Sequence, residues 1–207
     1  NVMAFEALWP DYHRHVAQIL DVRPFSDDHA FWVILESTAK ADDVEAFLVG
    51  MIEEGVMQDC AVAQTEAQAR AFWSVRDGHP VDDLPNVVNF DVSLPITQIG
   101  AFAADCHAAI KMRWPGAHCF IYGHIGDSNL HITTSIDYGP GEDMHTVDDL
   151  VYGAVKAHSG SISAEHGIGT LKRSYLHLSR SPQELALMRT LKQALDSSGI
   201  LNPGKVI

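Results

Sequence analysis

Two short segments concentrate the side chains able to do chemistry. Tyr122-Gly-His-Ile-Gly-Asp-Ser-Asn-Leu-His131 has an imidazole near one end and another at the other, His124 and His131. Ser161-Ile-Ser-Ala-Glu-His-Gly-Ile-Gly169 sets Glu165 beside His166. Imidazole nitrogen and carboxylate oxygen suit borderline divalent ions, zinc first among them. Three protein ligands with one open position is the pattern of a catalytic metal centre. His124, His131 and Glu165 are the candidate ligands, the alternative being a turn that carries two incidental histidines. Asp127 sits in a turn, where Asp is common for local reasons. His166 is the expected base, because a hydroxyl held by a metal is acidified and a neutral imidazole beside it can accept the proton. Gly167 and Gly169 flank it and permit close backbone approach to a ligand.

The elements must bring these segments together. Residues 124–131 read as a hairpin centred between Asp127 and Ser128, which puts His124 and His131 opposite one another, about 5 Å apart on one face. A one-residue slip would send them to opposite faces. Thr65 caps a helix running to about Asp77, with Ala69, Phe72, Trp73 and Arg76 on one stripe. Arg76 there is either half of a structural ion pair or an anchor for a substrate carboxylate, which a fork of donors suits.

Around these, residues 2–9 read as a helix ending near Pro10. Residues 30–36, 57–63, 87–93, 118–122 and 130–134 read as strands. Helices are expected from Asp42 to Gly55, from Pro95 with Ile99, Phe102, Ala103, Cys106 and Ile110 inward, from a Thr146–Asp149 capping box to Gly160, and from Ser181 to Gly199 with Leu185, Met188, Leu191 and Leu195 on one face. Residues 78–86 and 137–145 read as loops. Elements alternate around a strongly signalled hairpin. That favours an α+β fold, an antiparallel sheet with helices mainly on one face.

Composition narrows the function. The chain has 207 residues and a formal net charge of −13, which repels phosphate backbones and weighs against nucleic acid as a partner. No apolar run is long enough to span a membrane. Cys60, Cys106 and Cys119 are too scattered for a disulfide framework and suit a reducing cytoplasm. The chain opens on Asn1 rather than Met, which fits a processed product or a piece of something longer. One domain over residues 1–207 is expected.

Five segments together resemble the C-terminal domain of FAD-linked oxidases, the flavoproteins that oxidise D-2-hydroxy acids such as D-lactate, glycolate and D-2-hydroxyglutarate. They are Trp73-Ser-Val-Arg76, Phe90-Asp-Val-Ser-Leu-Pro95, Gly123 to His131, Gly160 to Gly169 with Lys172, and Gly199-Ile-Leu-Asn-Pro-Gly-Lys-Val206. The resemblance implies an antiparallel sheet with helices on one face and ferredoxin-like elements, forming a cap over a flavin held by a preceding domain. It implies that His124, His131 and Glu165 bind a divalent metal, that His166 takes the hydroxyl proton while hydride passes to FAD, and that Arg76 holds the substrate carboxylate. Asn202, in the tail, would lie close to the flavin domain. Electrons would leave to a quinone, a cytochrome or an electron-transfer flavoprotein, and a homodimer is compatible with the pattern.

Departures from the branch resembling D-2-hydroxyglutarate dehydrogenases are Asn89 where a Lys stands, Pro80 for a Thr, and Thr133 for an Asn. They fall where a second substrate carboxylate would be held, so Thr133 is expected at the substrate and a dicarboxylate is disfavoured. Nothing in the chain resembles the family's FAD-binding domain, so the chain alone is expected to bind metal but not FAD, and not to turn over. Two rival readings are a metal-dependent hydrolase using the same three ligands with an activated water, and a non-catalytic metal-binding or dimerisation module.

Overall fold

A computed structural model describes residues 2–22, 25, 29–77 and 80–207. Its centre is a five-stranded antiparallel sheet in the order β2-β1-β4-β5-β3. The strands are β1 Val2–Leu8, β2 Trp32–Ser37, β3 Val87–Ser93, β4 His118–His124 and β5 Asn129–Ser135. The helices are α1 Pro10–Leu20, α2 Ala41–Glu53, α3 Glu66–Asp77, α4 Ile99–Arg113, α5 Met144–Ala157 and α6 Pro182–Leu195.

Alternation along β4 explains the two cores. Cys119 and Ile121 point to one face, where they join Phe90, Val92, Leu130 and Ile132 beneath α4 and α5. The five residues expected inward on α4 are all buried there. Phe120 and Tyr122 point to the other face, where Leu8, Tyr12, Val16, Trp32 and Val75 form a second cluster under α1 and α3. Cys106 and Cys119 are buried free thiols whose pKa burial raises, to about 12 for Cys119, so they pack as small apolar groups.

Three local expectations need correction. Residues 2–9 are not helical: Val2–Leu8 form β1 and Trp9 precedes α1. Pro10 does not terminate a helix there but occupies the first turn of α1, where its missing N–H costs nothing. Tertiary pairing decides the matter, since β1 is hydrogen-bonded on both sides, to β2 and β4. Residues 57–63 form no strand; Asp59 Oδ1 accepts the Cys60 N–H, a local bond that competes with a ladder. The α5 capping box begins three residues earlier than expected, with Asp143 as the cap and Thr146 at the third position. The box at Ser181 and Glu184 stands where the sequence puts it. Among the described residues no helix is long and apolar enough to cross a membrane.

Candidate functional site

One face of the sheet carries the cluster. Across β4 and β5 Tyr122 faces His131, across β3 and β5 Asp91 faces His131 and Asn89 faces Thr133, and across β1 and β4 Glu6 faces His124. Directly opposed residues leave the sheet on the same side, and so do residues two apart. All seven therefore project to the face that α1 and α3 cover further along.

His124 and His131 are not opposite one another, as a two-residue turn would have made them. The connection is a turn of 3₁₀ helix, Ile125–Asp127, closed by Ser128 in the left-handed conformation (φ 60°). The register is displaced by two residues, and a two-residue displacement keeps the face. The imidazoles meet on the diagonal, ring centroids 5.1 Å apart and planes at 86°. Gly123 makes the approach feasible: a Cβ there would lie 2.5 Å from the Asn129 carbonyl oxygen and 2.9 Å from Leu130 Cα.

A buried carboxylate organises this half of the site. Glu6 Oε1 lies 2.6 Å from His124 Nδ1, and Glu6 Oε2 accepts from Arg76 Nε at 2.8 Å. A carboxylate only accepts, so Nδ1 carries the His124 proton and Nε2 presents a lone pair. That lone pair lies 3.3 Å from Arg76 Nη2, which donates to it. The Arg76 guanidinium also sits 5.0 Å over the Tyr122 ring. Tyr12 OH bonds the Val75 and Arg76 carbonyls and its ring stacks on Tyr122, fixing the end of α3 against the sheet. Arg76 is thus both an ion-pair member and a donor to the site.

The other half is a loop wound around Asp91. Ser93 and Ser161 exchange backbone bonds of 3.0 and 2.7 Å, tying the loop to the end of β3. Asp91 Oδ2 then accepts three successive backbone N–H groups, from Ala164, Glu165 and His166, at 3.0, 3.0 and 2.8 Å. Burial pushes the Asp91 pKa up, but the N–H bonds from His166 and Glu165 with the Lys172 charge outweigh it and hold the group below the ordinary value. Lys172 Nζ bonds the Asp91 carbonyl and Ser163 Oγ from beneath. So folded, the loop brings Glu165 Oε1 to 3.8 Å from His131 Nε2 and to 3.8 Å from His166 Nε2. The His166 ring lies nearly parallel to that of His131, 6.1 Å away, and is largely exposed.

One ligand atom from each of His124, His131 and Glu165 lies within 4.8 Å of the others, and so does one from each of Asp91, Glu165 and His166. Ligands on tetrahedral zinc stand roughly 3.4 Å apart, given bonds of about 2.0–2.2 Å. The first trio is close to that spacing and offers two imidazole nitrogens with a carboxylate, so it fits a divalent ion. In the second trio Asp91 Oδ2 is already taken by the loop, and the trio offers one imidazole against two carboxylates. Burial, with Arg76 and His124 nearby, lowers the His131 pKa from 6.5 to about 4, which keeps the ring neutral as a ligand must be.

Thr133 lies two residues from His131 on the same face but is buried, its hydroxyl donating to Asn89 Oδ1 at 2.7 Å and lying 3.3 Å from Tyr122 OH. Asn89 in turn donates to Asp82 Oδ1 at 3.2 Å. Asn202 is exposed in the C-terminal turn, with a left-handed backbone (φ 45°), and the tail is tied to the loop by Val206 N–H to the Gly169 carbonyl at 2.9 Å. Sequence reasoning missed Glu6 and gave no role to Asp91 or Lys172. The signal for Glu6 was there, a lone acid within the apolar run Val2-Met-Ala-Phe-Glu-Ala-Leu8.

Residues 1–206 match the family described as FAD linked oxidases, C-terminal domain. It is 35% identical over 191 residues to the mitochondrial D-2-hydroxyglutarate dehydrogenase of Arabidopsis thaliana, covering 89% of this chain and 34% of that protein. It is 36% identical over 216 residues to the D-2-hydroxyglutarate dehydrogenase of Xanthomonas citri pv. viticola, covering 98% of this chain and 45% of that protein. A third relative, the D-2-hydroxyglutarate dehydrogenase of Stutzerimonas stutzeri, is 33% identical over 194 residues, covering 88% of this chain and 42% of that protein. The chain thus spans less than half the length of these relatives. It belongs to the family of FAD-linked oxidase C-terminal domains.

Proposed function

We propose that this chain is the substrate- and metal-binding part of a flavin-dependent dehydrogenase that oxidises a D-2-hydroxy acid to the 2-oxo acid. The observation that carries the reading is the convergence of His124, His131 and Glu165 on one focus, with His166 and Arg76 at its margin. When bound, FAD supplies the hydride acceptor, and the divalent ion, zinc by our assignment, supplies a Lewis acid for the hydroxyl. The three ligands would hold the ion. Of this chain's residues only Asn202, on the exposed tail, is assigned to the neighbourhood of the flavin. The flavin-binding part of the protein is the expected partner, with a quinone, cytochrome or electron-transfer flavoprotein as final acceptor.

The chain's own residues then act as follows. Arg76 Nη2–H, which meets His124 Nε2 at 3.3 Å, would turn to the substrate carboxylate and fix the orientation of C2. His166 accepts the hydroxyl proton as the hydride leaves C2. Its exposure gives the proton a way out to solvent. Asp91 and Lys172 hold the loop that keeps Glu165 and His166 in register.

Charge favours a monocarboxylate. The site holds three carboxylates, Glu6, Asp91 and Glu165, against two cations, Arg76 and Lys172. With the imidazoles uncharged it repels an anion; a divalent ion reverses the sign and leaves a net positive charge that one carboxylate neutralises. A second carboxylate would overshoot, and beside Thr133 the polar chain runs through Asn89 to the acidic Asp82. The relatives are named for a dicarboxylate substrate, so the residues and the names pull in different directions.

The test is oxidation of a panel of D-2-hydroxy acids by the whole flavin-loaded protein with a dye acceptor. D-lactate-like monocarboxylates are expected to exceed D-2-hydroxyglutarate in kcat/KM, and His166→Asn should lower kcat by about 10²–10⁴-fold. No oxidation of any member would remove the dehydrogenase reading. Preference for the dicarboxylate would remove the charge argument alone.

A further inference from the structure

We infer that Glu6 is a positioning residue that sets, with one carboxylate, both the tautomer of His124 and the direction of the Arg76 guanidinium. The inference rests on the metal-site reading above and extends it to a strand that carries no ligand.

Glu6 sits on β1, directly across from His124 on β4, and is 3% exposed. Burying a carboxylate is costly unless donors meet it, and here each oxygen takes one. Oε1 faces His124 Nδ1 at 2.6 Å and Oε2 takes Arg76 Nε at 2.8 Å. Three elements distant in sequence therefore meet on one side chain: β1, the end of α3 and the end of β4.

The consequence for His124 is chemical. Its ring could carry the proton on either nitrogen, and only the form with Nδ1–H leaves the Nε2 lone pair directed at the focus shared with His131 and Glu165. Glu6 selects that form because an ionised carboxylate accepts and cannot donate. It also holds the ring plane and raises the basicity of Nε2, as carboxylates behind ligating imidazoles do. The consequence for Arg76 is geometric. With Nε engaged by Glu6, terminal nitrogen Nη2 lies 3.3 Å from His124 Nε2, at the site.

Glu6→Gln separates this role from mere packing. The amide has nearly the same shape but one acceptor and one donor end, while His124 Nδ1–H and Arg76 Nε–H require two acceptors. If the amide oxygen stays with Arg76, its NH₂ faces Nδ1 and drives the proton to Nε2, removing the ligand lone pair. If the amide turns over, Arg76 Nε loses its partner and the fork swings.

The experiment uses the whole protein and Zn²⁺ as probe, with chelator competition for affinity. Wild type is expected to bind Zn²⁺, and E6Q to bind it about 10–100-fold more weakly, with a raised KM for the hydroxy acid. A second measurement needs no variant of Glu6: long-range ¹⁵N–¹H correlation on metal-free wild type should show the His124 proton on Nδ1, the signal being assigned by its loss in His124→Asn. Failure of wild type to bind Zn²⁺ would overturn the metal reading beneath the proposal. Zn²⁺ binding by wild type with unchanged affinity in E6Q, or the His124 proton on Nε2, would overturn the role of Glu6 itself.

Discussion

At the scale of the residue, burial decides the charge of His131. Its side chain is 12% exposed, against 36% for His124 and 62% for His166. Charging it in the fold costs solvation and meets Arg76, so the folded pKa falls from 6.5 to about 4. In that interval the unfolded chain binds the proton and the folded chain does not. Stability is then fully present above about pH 6.5 and is lost as pH falls toward 4. The contribution is on the order of 3 kcal/mol for a shift of this size. His15, lowered by burial and by His118, acts with the same sign. Urea unfolding of the metal-free chain between pH 7 and 4.5 should show the decline, and His131→Gln should make it shallower. An unchanged slope in the variant would contradict the assignment.

Residue type and spacing were enough to nominate His124, His131, Glu165, His166 and Arg76, because imidazoles, a carboxylate and a guanidinium announce their chemistry wherever they stand. Glu6 could not be nominated the same way. Its role comes from facing His124 across two strands 118 residues apart in sequence, a pairing that no local pattern encodes.

At the scale of the element, the loop 161–169 is positioned by a strand residue rather than by its own sequence. Asp91 Oδ2 gathers three consecutive N–H groups of that loop, and its other oxygen is buried without a hydrogen-bond partner. Asp91→Asn replaces a charged acceptor with a neutral one and brings amide hydrogens into a buried position. A loss of about 2–3 kcal/mol is expected from weakening charge-assisted bonds and burying unpaired donors. The specific readout is hydrogen exchange at residues 164–166, protected in wild type and fast in the variant. Protection that persists in D91N would show that the loop does not depend on this carboxylate.

The strands around the site were readable because apolar alternation and the turn residues at 126–128 agree. The turn's geometry was not, since a 3₁₀ turn and a two-residue hairpin share the same glycine and polar residues. The error was harmless to function because the slip was even. β1 was misjudged for a different reason: Pro10 starts a helix as readily as it ends one, and only pairing with β2 and β4 distinguishes the cases.

At the scale of the molecule, the apolar α6 face expected from periodicity is only partly covered, Leu185 and Met188 being half-buried. None of the α2 or α6 residues is buried, and Leu191 and Leu195 of that face are exposed. Periodicity tells which face is apolar but not what covers it. The relatives named above are more than twice as long as this chain. The proposed metal centre can be tested on this chain, because every residue assigned to it lies within these 207 residues.

The most direct measurement is therefore the zinc stoichiometry of this chain, wild type against His131→Ala and Glu165→Ala, by calorimetric titration after chelator treatment. About one equivalent is expected in wild type, as for a site of three protein ligands, falling toward none in each variant. A wild type that binds no zinc, or variants that bind it as wild type does, would contradict the site.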